Sequence, residues 1–333
     1  MLKINYIQFV IVLLLFTINS CESVVEFNAK ESQQKLVVNS FLNANDTVSV
    51  QVSLSRFFLS SKKEYILIND AQVDLYVNEK FVATLKNWGQ GIYSSTYQPK
   101  YGEQVKLVVT TPKNGTAYAV SRIPDALKME SAKHDSLFIE SIESQGQDYY
   151  SYYGENLRVN SSFVLVDDPT QDNFYQIRTT EFKFFYKDTT TIMNNPYSNF
   201  NYYRPSMTIL TPVDEGNKDV LGSEMYGITY FKDDFFKGKS YTIKFENVIY
   251  SGNLDSLALK VDSIRIETTV ENLSRDYYNF LLTKDRYYSE SGPFSEPVQI
   301  KSNVVGGIGI LGASSSYKFS RTFTLMPTSK RKY

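Results

Sequence analysis

Hydrophobic and polar residues alternate along several short stretches in the first third of the chain. The clearest stretch is residues 47–54, where Val48, Val50, Val52 and Leu54 are separated by polar residues. A repeat of two residues is typical of a strand that buries one face. The same repeat occurs at residues 73–77, 81–85, 105–109 and 116–122, and a turn-forming segment at 112–115 joins the last two. About seven short strands separated by turns predict an immunoglobulin-like or transthyretin-like β-sandwich over residues 35–124.

The remainder of the chain has longer β-rich stretches and one helical pattern. We expect strands within residues 137–142, 157–166, 174–186, 241–250, 257–270 and 317–325. A helix is predicted at residues 275–288, with Ser274 as N-cap and with Tyr277, Leu281 and Tyr288 on one face. These elements predict a second, larger β-rich domain over residues 135–326 with one short helix. His134 falls in the polar segment between the two domains, where a solvated connector residue is expected.

The first twenty residues have the pattern of an export signal. Lys3 precedes an apolar run at residues 7–16, about ten residues against the roughly 20 that a membrane-spanning helix needs. Residues 18–21 (Ile-Asn-Ser-Cys) resemble a bacterial lipobox, in which the cysteine is acylated, although Asn19 departs from that motif. We therefore predict a signal peptide at 1–20, a lipid anchor at Cys21 and a tether at 21–34. The alternative is a plain secretory signal followed by an incidental cysteine. Residues 327–333 are predicted to be a basic tail.

Composition narrows the function classes. The 333 residues carry a net charge of -1, so the chain lacks the basic excess that nucleic-acid binding requires. The chain contains one Cys and one His, which cannot form a disulfide framework or a tetrahedral zinc site. No metal or other cofactor is expected, and a His-based catalytic triad would depend on His134 alone.

Residues 307–312 fit the Gly-x-Gly-x-x-Gly pattern of dinucleotide-binding proteins. That chemistry needs a helix directly after the glycines, whereas residues 313–319 are typical of turn and strand. We predict a glycine-bearing strand or bulge that another segment approaches closely. Carboxylates are numerous, but no two can be placed at a catalytic separation, and residues 167–170 are predicted to end a strand in a turn.

Aromatic residues cluster in two polar segments. Tyrosine among Asn, Ser and Gly is typical of adaptable recognition surfaces, because the ring offers large contact area and a polar tip at low entropic cost. The alternative is packing on a sandwich edge. The candidate ligand or partner surface consists of Tyr149, Tyr150, Tyr152, Tyr153, Tyr197, Phe200, Tyr202 and Tyr203.

The C-terminal third resembles a known family. Residues 292–300 (Gly-Pro-Phe-Ser-Glu-Pro-Val-Gln-Ile) and 302–313 (Ser-Asn-Val-Val-Gly-Gly-Ile-Gly-Ile-Leu-Gly-Ala) are similar to the closing signature of a Bacteroidota outer-membrane lipoprotein family, domain of unknown function forty-two forty-nine. Paired aromatics at 276–280 precede the signature as in that family. Weaker similarities lie at 168–169 with 173–175 and at 233–238. Val304, Val305 and Leu311 depart from the family pattern.

The resemblance implies an accessory protein and no catalytic residues. It implies a non-enzymatic lipoprotein, anchored in the outer membrane with the cell surface favoured, that partners a TonB-dependent receptor and binds a small molecule, peptide or glycan. The alternatives are a surface hydrolase with a carboxylate site in the second domain, or a structural or adhesive envelope protein. The signature residues, expected to be structural, are Pro293, Phe294, Glu296, Pro297, Asn303, Gly306, Gly307 and Gly309.

Overall fold

A computed structural model describes residues 34–56, 64–144, 152–185, 205–221, 225–226, 228–250, 261–289 and 298–324. This part of the chain is mainly β, which confirms the predicted fold class. Its strands are β1 (Leu36–Asn43), β2 (Ser49–Leu54), β3 (Gln72–Val77), β4 (Lys80–Thr84), β5 (Lys86–Gly89), β6 (Ile92–Ser94), β7 (Gln104–Thr111), β8 (Gly115–Arg122), β9 (Lys128–Ser144), β10 (Tyr152–Val166), β11 (Phe174–Phe185), β12 (Pro205–Met207), β13 (Ile209–Pro212), β14 (Met225–Tyr226), β15 (Ile228–Lys232), β16 (Ser240–Tyr250), β17 (Val261–Leu273) and β18 (Ile308–Thr324). The helices of the described residues are α1 (Glu215–Leu221), α2 (Arg275–Ser289) and a 3₁₀ turn at Asp233–Phe235.

These strands form three sheets. The long sheet has the order β12-β11-β17-β18-β1-β2-β6-β5, and β15 also pairs with β11. A five-stranded sheet has the order β14-β13-β16-β10-β9, and a four-stranded sheet has the order β4-β3-β7-β8. β1 and β18 pair in parallel, so the first and last described strands are neighbours in the middle of the long sheet.

The four-stranded sheet packs on the half of the long sheet that contains β1, β2 and β6. Their inward residues form one apolar core, in which the predicted alternation of β2, β3 and β7 is confirmed. Phe81 was expected to point inward with Leu85. Leu85 is buried, but Phe81 is exposed, because a register shift between β3 and β4 places Phe81 opposite the outward Tyr76, whose ring it contacts with centroids 5.7 Å apart.

The five-stranded sheet faces the β11, β17 and β18 half of the long sheet. Apolar side chains form two separate clusters there, one around Phe163, Ile177 and Phe245 and the other around Leu157, Ile249 and Ile266. β18 serves both sandwiches, since Leu311 and Ala313 enter the first core while Phe319 packs against the second. The division into domains at 35–124 and 135–326 stays a prediction, and the long sheet runs through both ranges.

His134 corrects an expectation, because it is buried in β9 instead of solvated in a connector. Only 2% of the residue is exposed, and its ring stacks on Phe319 with centroids 4.6 Å apart. β9 pairs with β10 along its length, and a register shift leaves Asp135 out of the pairing and places His134 opposite Ser161. The polar sequence here therefore belongs to a strand with a bulge.

The helix predicted at 275–288 is confirmed as α2, but its packing face differs from the prediction. The carbonyl of Ser274 accepts the first helical hydrogen bond from Tyr278 N–H at 3.0 Å, while its hydroxyl accepts from Ala313 N–H at 3.2 Å. Tyr278 and Leu281 are buried, whereas Tyr288 is exposed in the last turn. In the first turn of α2, Tyr277 lies against Gly312 of β18 and the Tyr278 ring packs on Phe174 of β11, so the strands beneath decide which face is covered.

α1 was not predicted. Its seven residues are too few to show a helical repeat, and Asp214 caps it by accepting from Asn217 N–H at 2.9 Å. Neither helix in the described ranges has the length and apolar character that crossing a membrane would require.

Candidate functional site

Many of the residues singled out in the sequence lie outside the described residues: Cys21, Tyr149, Tyr150, Tyr197, Phe200, Tyr202, Tyr203, Pro293, Phe294, Glu296 and Pro297. Tyr152 and Tyr153 begin β10, where their backbones pair with Ser144 and Glu143. A role of these aromatic residues in binding stays a prediction. Asn303 and the signature glycines Gly306, Gly307 and Gly309 are described.

The two weaker family similarities, at 168–175 and at 233–238, meet around the buried carboxylate of Asp167. Its Oδ1 accepts hydrogen bonds from the Tyr175 hydroxyl at 2.7 Å and from Asn173 Nδ2 at 3.1 Å. Its Oδ2 accepts from Gly238 N–H at 2.8 Å. One carboxylate therefore joins the end of β10, the start of β11 and the turn before β16. Burial, together with the bond to Asp167, raises the pKa of Tyr175, so this hydroxyl remains a donor.

Asp233 forms the second buried carboxylate of this cluster. Its Oδ2 accepts from the backbone N–H of Asn173 at 2.9 Å, and burial raises the pKa of Asp233. Asn173 thus donates to both carboxylates, through its side chain to Asp167 and through its backbone to Asp233. The sequence signal was the pair of family-like motifs, but their convergence needed the fold.

Ion pairs cover this cluster on the surface. Asp172 accepts from Lys237 Nζ at 2.5 Å and from Arg275 Nη2 at 2.9 Å. The hydrogen bond and the charge of Lys237 are the main causes that lower the pKa of Asp172, and Arg275 lowers it further. The first residue of α2 is thereby tied to the loop before β11 and to the turn after the 3₁₀ helix.

A cleft of about 330 Å³ lies between the carboxylate cluster and the segment that links β8 to β9. This volume is at the small end of the range for ligand pockets, about 300 to 1,000 Å³. Asp168 lines the cleft, and its Oδ1 accepts from the hydroxyl and the N–H of Thr170 at 2.7 and 2.9 Å, which lowers its pKa. The turn predicted at 167–170 is confirmed by these bonds. The other lining residues are Asp125, Ala126, Leu127, Lys128, Leu165, Val166, Gln171, Asn173, Tyr175 and Asn272.

The cleft can present carboxylate and amide acceptors to a small polar ligand. Asp125 is itself held in place, since its carbonyl accepts from the Ser315 hydroxyl at 2.7 Å. Among the described residues, no group of three or more His, Cys, Asp or Glu side chains is placed to hold a metal ion.

The signature residues lie where the last strand meets its neighbours. Asn303 pairs with the backbone of Leu311, accepting from its N–H at 2.9 Å and donating to its carbonyl at 3.0 Å. Asn303 thus supplies hydrogen-bond partners to the backbone of Leu311, which lies beyond the end of the pairing between β17 and β18.

The signature glycines allow close approach of other strands. A β-carbon on Gly306 would lie 2.5 Å from the carbonyl oxygen of Thr116 in β8, and one on Gly307 2.6 Å from that of Leu36 in β1. Gly309 lies against the carbonyl of Val38 in the same way. A strand follows these glycines, as the sequence predicted, so the Gly-x-Gly-x-x-Gly pattern has no helix N-terminus at which a pyrophosphate would bind.

A buried polar layer separates the two apolar clusters of the second sandwich. Nδ1 of His134 shares a 2.7 Å hydrogen bond with Ser161 Oγ, which also accepts from Asn247 Nδ2 at 2.6 Å. The Thr208 hydroxyl donates to Asn247 Oδ1 at 3.0 Å. These residues are buried, so the layer is internal to the sandwich and has no access to a substrate.

This layer predicts a pH-dependent stability. Burial is the main cause that lowers the pKa of His134 to about 4, and the charge of Arg321 also lowers it. Above about pH 6.5 the imidazole is neutral in both the folded and the unfolded chain. As pH falls from about 6.5 to 4, the unfolded chain binds a proton that the folded chain does not, so folding should lose about 3 kcal/mol.

His134→Asn tests this, because His134 is the only histidine of the chain. The free energy of unfolding, measured in urea from pH 7 to pH 4, should fall less steeply in the variant than in the natural protein. Parallel curves, separated only by a constant loss of packing energy, would contradict the assignment.

Taken together, the described residues form a β-rich protein of two sandwiches on one shared sheet, with motif residues that tie strands and turns together. A family profile covers residues 22–320, so the chain belongs to the family described as Domain of unknown function (DUF4249). This confirms the resemblance to that domain family, while the Bacteroidota origin and the lipid anchor stay predictions. A search of curated proteins gave no match.

Proposed function

We propose that this chain is a non-enzymatic, lipid-anchored outer-membrane protein that acts as a binding or accessory component of a TonB-dependent uptake system. The proposal that the protein is non-enzymatic rests on the hydrogen bonds that the Asp167 carboxylate accepts. All three of its hydrogen bonds come from groups of the protein itself, and Asp233 beside it accepts from a backbone N–H. Carboxylates engaged in this way hold strands and turns together, which supports a structural role for Asp167.

The anchor and the transport partner rest on the sequence. The lipobox-like residues before Cys21 support acylation, and several acyl chains on one residue give stable membrane anchoring. The family resemblance supports a TonB-dependent receptor as partner, and the cell surface is the proposed location. A small molecule, peptide or glycan is the proposed cargo.

Cys21→Ser tests the anchor. The variant should lack acyl chains and move from the membrane to the soluble fraction, because nothing else in the first 34 residues is proposed to hold the chain in a bilayer. Metabolic labelling with a fatty acid and fractionation after cell lysis measure both effects. Ser20→Ala, a substitution at the neighbouring position, serves as the control and should leave fatty-acid labelling in place. Continued membrane association of Cys21→Ser would count against the anchor.

Receptor capture and gene deletion test the transport role. Affinity purification of the full chain from outer membranes should recover a TonB-dependent receptor, and deletion should reduce uptake of at least one substrate. Unchanged uptake of every substrate tested, with no receptor recovered, would overturn the proposal. Turnover of a glycan, peptide or ester by the purified chain would instead favour the surface hydrolase.

A further inference from the structure

One half of the outer face of the long sheet is not covered by another element of the described residues. The inward residues of β1, β2 and β6, such as Val38, Val50 and Tyr93, fill the first core. Their neighbours in sequence therefore point to the opposite side, where Ser49 and Gln51 are exposed. α2 packs on the adjoining part of this face, where Tyr277 lies against Gly312 of β18. We call the uncovered half the outer platform, formed by the outward residues of β1, β2, β6 and β5.

Strand register places uncharged polar residues in the middle of the outer platform. Asn39 of β1 lies opposite Gln51 of β2, and the apolar Ile92 of β6 ends this row. In the next row Ser49 lies opposite Ser94. Hydroxyl and amide groups can both donate and accept hydrogen bonds, so this floor suits a ligand that also does both.

An aromatic ring borders the outer platform on its free edge. Trp88 of β5 is 65% exposed, yet its ring is oriented by two contacts. Its indole N–H donates to Ser94 Oγ at 2.7 Å, and Lys86 Nζ lies 4.5 Å from the ring centre. A ring that is exposed but already positioned binds a flat ligand at low entropic cost.

A second aromatic border lies on the opposite side of the outer platform, where β1 meets α2. Phe41 of β1 is 55% exposed, and its ring centre lies 5.5 Å from that of Tyr277 and 6.4 Å from that of Phe280. β1 and β5 are three strand steps apart in the long sheet. At about 4.8 Å a step, the two borders are about 14 Å apart.

We propose that the outer platform binds a neutral oligosaccharide, with Trp88 and Phe41 each packing on the apolar face of a sugar ring and the polar floor between them bonding the sugar hydroxyls. The floor residues carry no charge, which matches a neutral ligand and not a phosphorylated or acidic one. Lys86 at the edge already lies over Trp88. This inference deepens the proposed function, on which it rests, by naming the class of cargo.

Intrinsic fluorescence provides a direct test, because Trp88 is the only tryptophan of the chain. The full chain, held in a detergent without a sugar headgroup, is titrated with a panel of neutral hexasaccharides of glucose, mannose, xylose and galactose in α and β linkages. At least one should change the Trp88 emission saturably. No change with any member of the panel would overturn the proposal.

Variants locate the binding site by calorimetry with the hexasaccharide that binds. Trp88→Ala and Phe41→Ala should each weaken binding about tenfold or more, as expected for exposed aromatic anchors. Trp88→Phe should retain most of the affinity, which separates loss of a ring from loss of folding. Phe235→Ala is the matched control, since Phe235 is 67% exposed on the 3₁₀ turn, away from the outer platform, and should bind normally.

The outcomes separate this inference from the proposed function. Unchanged affinity in both alanine variants would overturn the outer platform as the glycan site. Binding of a peptide along the β5 edge, with no response to any neutral glycan, would also overturn it. Receptor capture without glycan binding would leave the transport role standing and remove this inference. Glycan binding without receptor capture or an uptake defect would support the outer platform as a glycan site and remove the transport role.

Discussion

Gly306→Ala should destabilise the protein by about 2 to 5 kcal/mol, beyond the effect of Gly115→Ala. Both glycines have nearly the same positive backbone angle, with φ of 76° and 79°. Alanine should cost about 1 to 2 kcal/mol at either position for this conformation alone. At Gly306 a β-carbon would also meet the Thr116 carbonyl of β8 at 2.5 Å, and such overpacking adds about 1 to 3 kcal/mol.

Gly115 is a matched control because nothing lies within 4 Å of the place its β-carbon would occupy. Urea unfolding followed by far-UV circular dichroism gives the free energy of both variants. The difference between them isolates the contact between the signature segment and β8, which pair through Val305 and Tyr118. Equal losses in the two variants would show that the close approach at Gly306 contributes nothing to stability.

Asp167→Asn should cost about 3 kcal/mol, because it breaks a buried hydrogen-bond network while changing almost no volume. The carboxylate accepts from Tyr175, Asn173 and Gly238. An amide in its place has one NH₂ group, which would face at least one of these donors. A buried donor without an acceptor bears the full cost of its desolvation.

Asp168→Asn is the control in the next position, where the carboxylate accepts from Thr170 in an exposed turn. Its unfolding midpoint should stay close to that of the natural protein. Thermal and urea unfolding of both variants at pH 7 make the comparison. Equal unfolding midpoints for Asp167→Asn and Asp168→Asn would show that the three hydrogen bonds are replaceable. The assignment of Asp167 as a structural acceptor would then be wrong.

Sequence patterns predicted most of the secondary structure because alternation reports which residues of a strand share a face. Val48, Val50 and Val52 are buried together as their spacing required. The helical pattern at 275–288 was equally direct, yet it did not identify Tyr278 as a buried residue. Two adjacent tyrosines on a helix are equivalent in sequence, and only the strands beneath α2 distinguish them.

The carboxylate cluster shows where sequence reasoning ends. Asn173 and Asp233 are sixty residues apart in the chain and join by a hydrogen bond of 2.9 Å. The motifs that contain them were visible as two separate family similarities. Their meeting depends on β10, β11 and β16 occupying neighbouring places in two facing sheets, which no local pattern encodes.

The sequence by itself determined the family, the mainly β class and the inward faces of the first sandwich, because these follow from motif spacing and from a repeat of two residues. Tertiary structure decided which strands are neighbours: β18 lies parallel to β1 and so belongs to both sandwiches. It also decided that His134, in a polar stretch, is buried. A polar residue can enter a core when its partners do so with it, as Ser161 and Asn247 do here, and those partners are brought together only by the folded sheets.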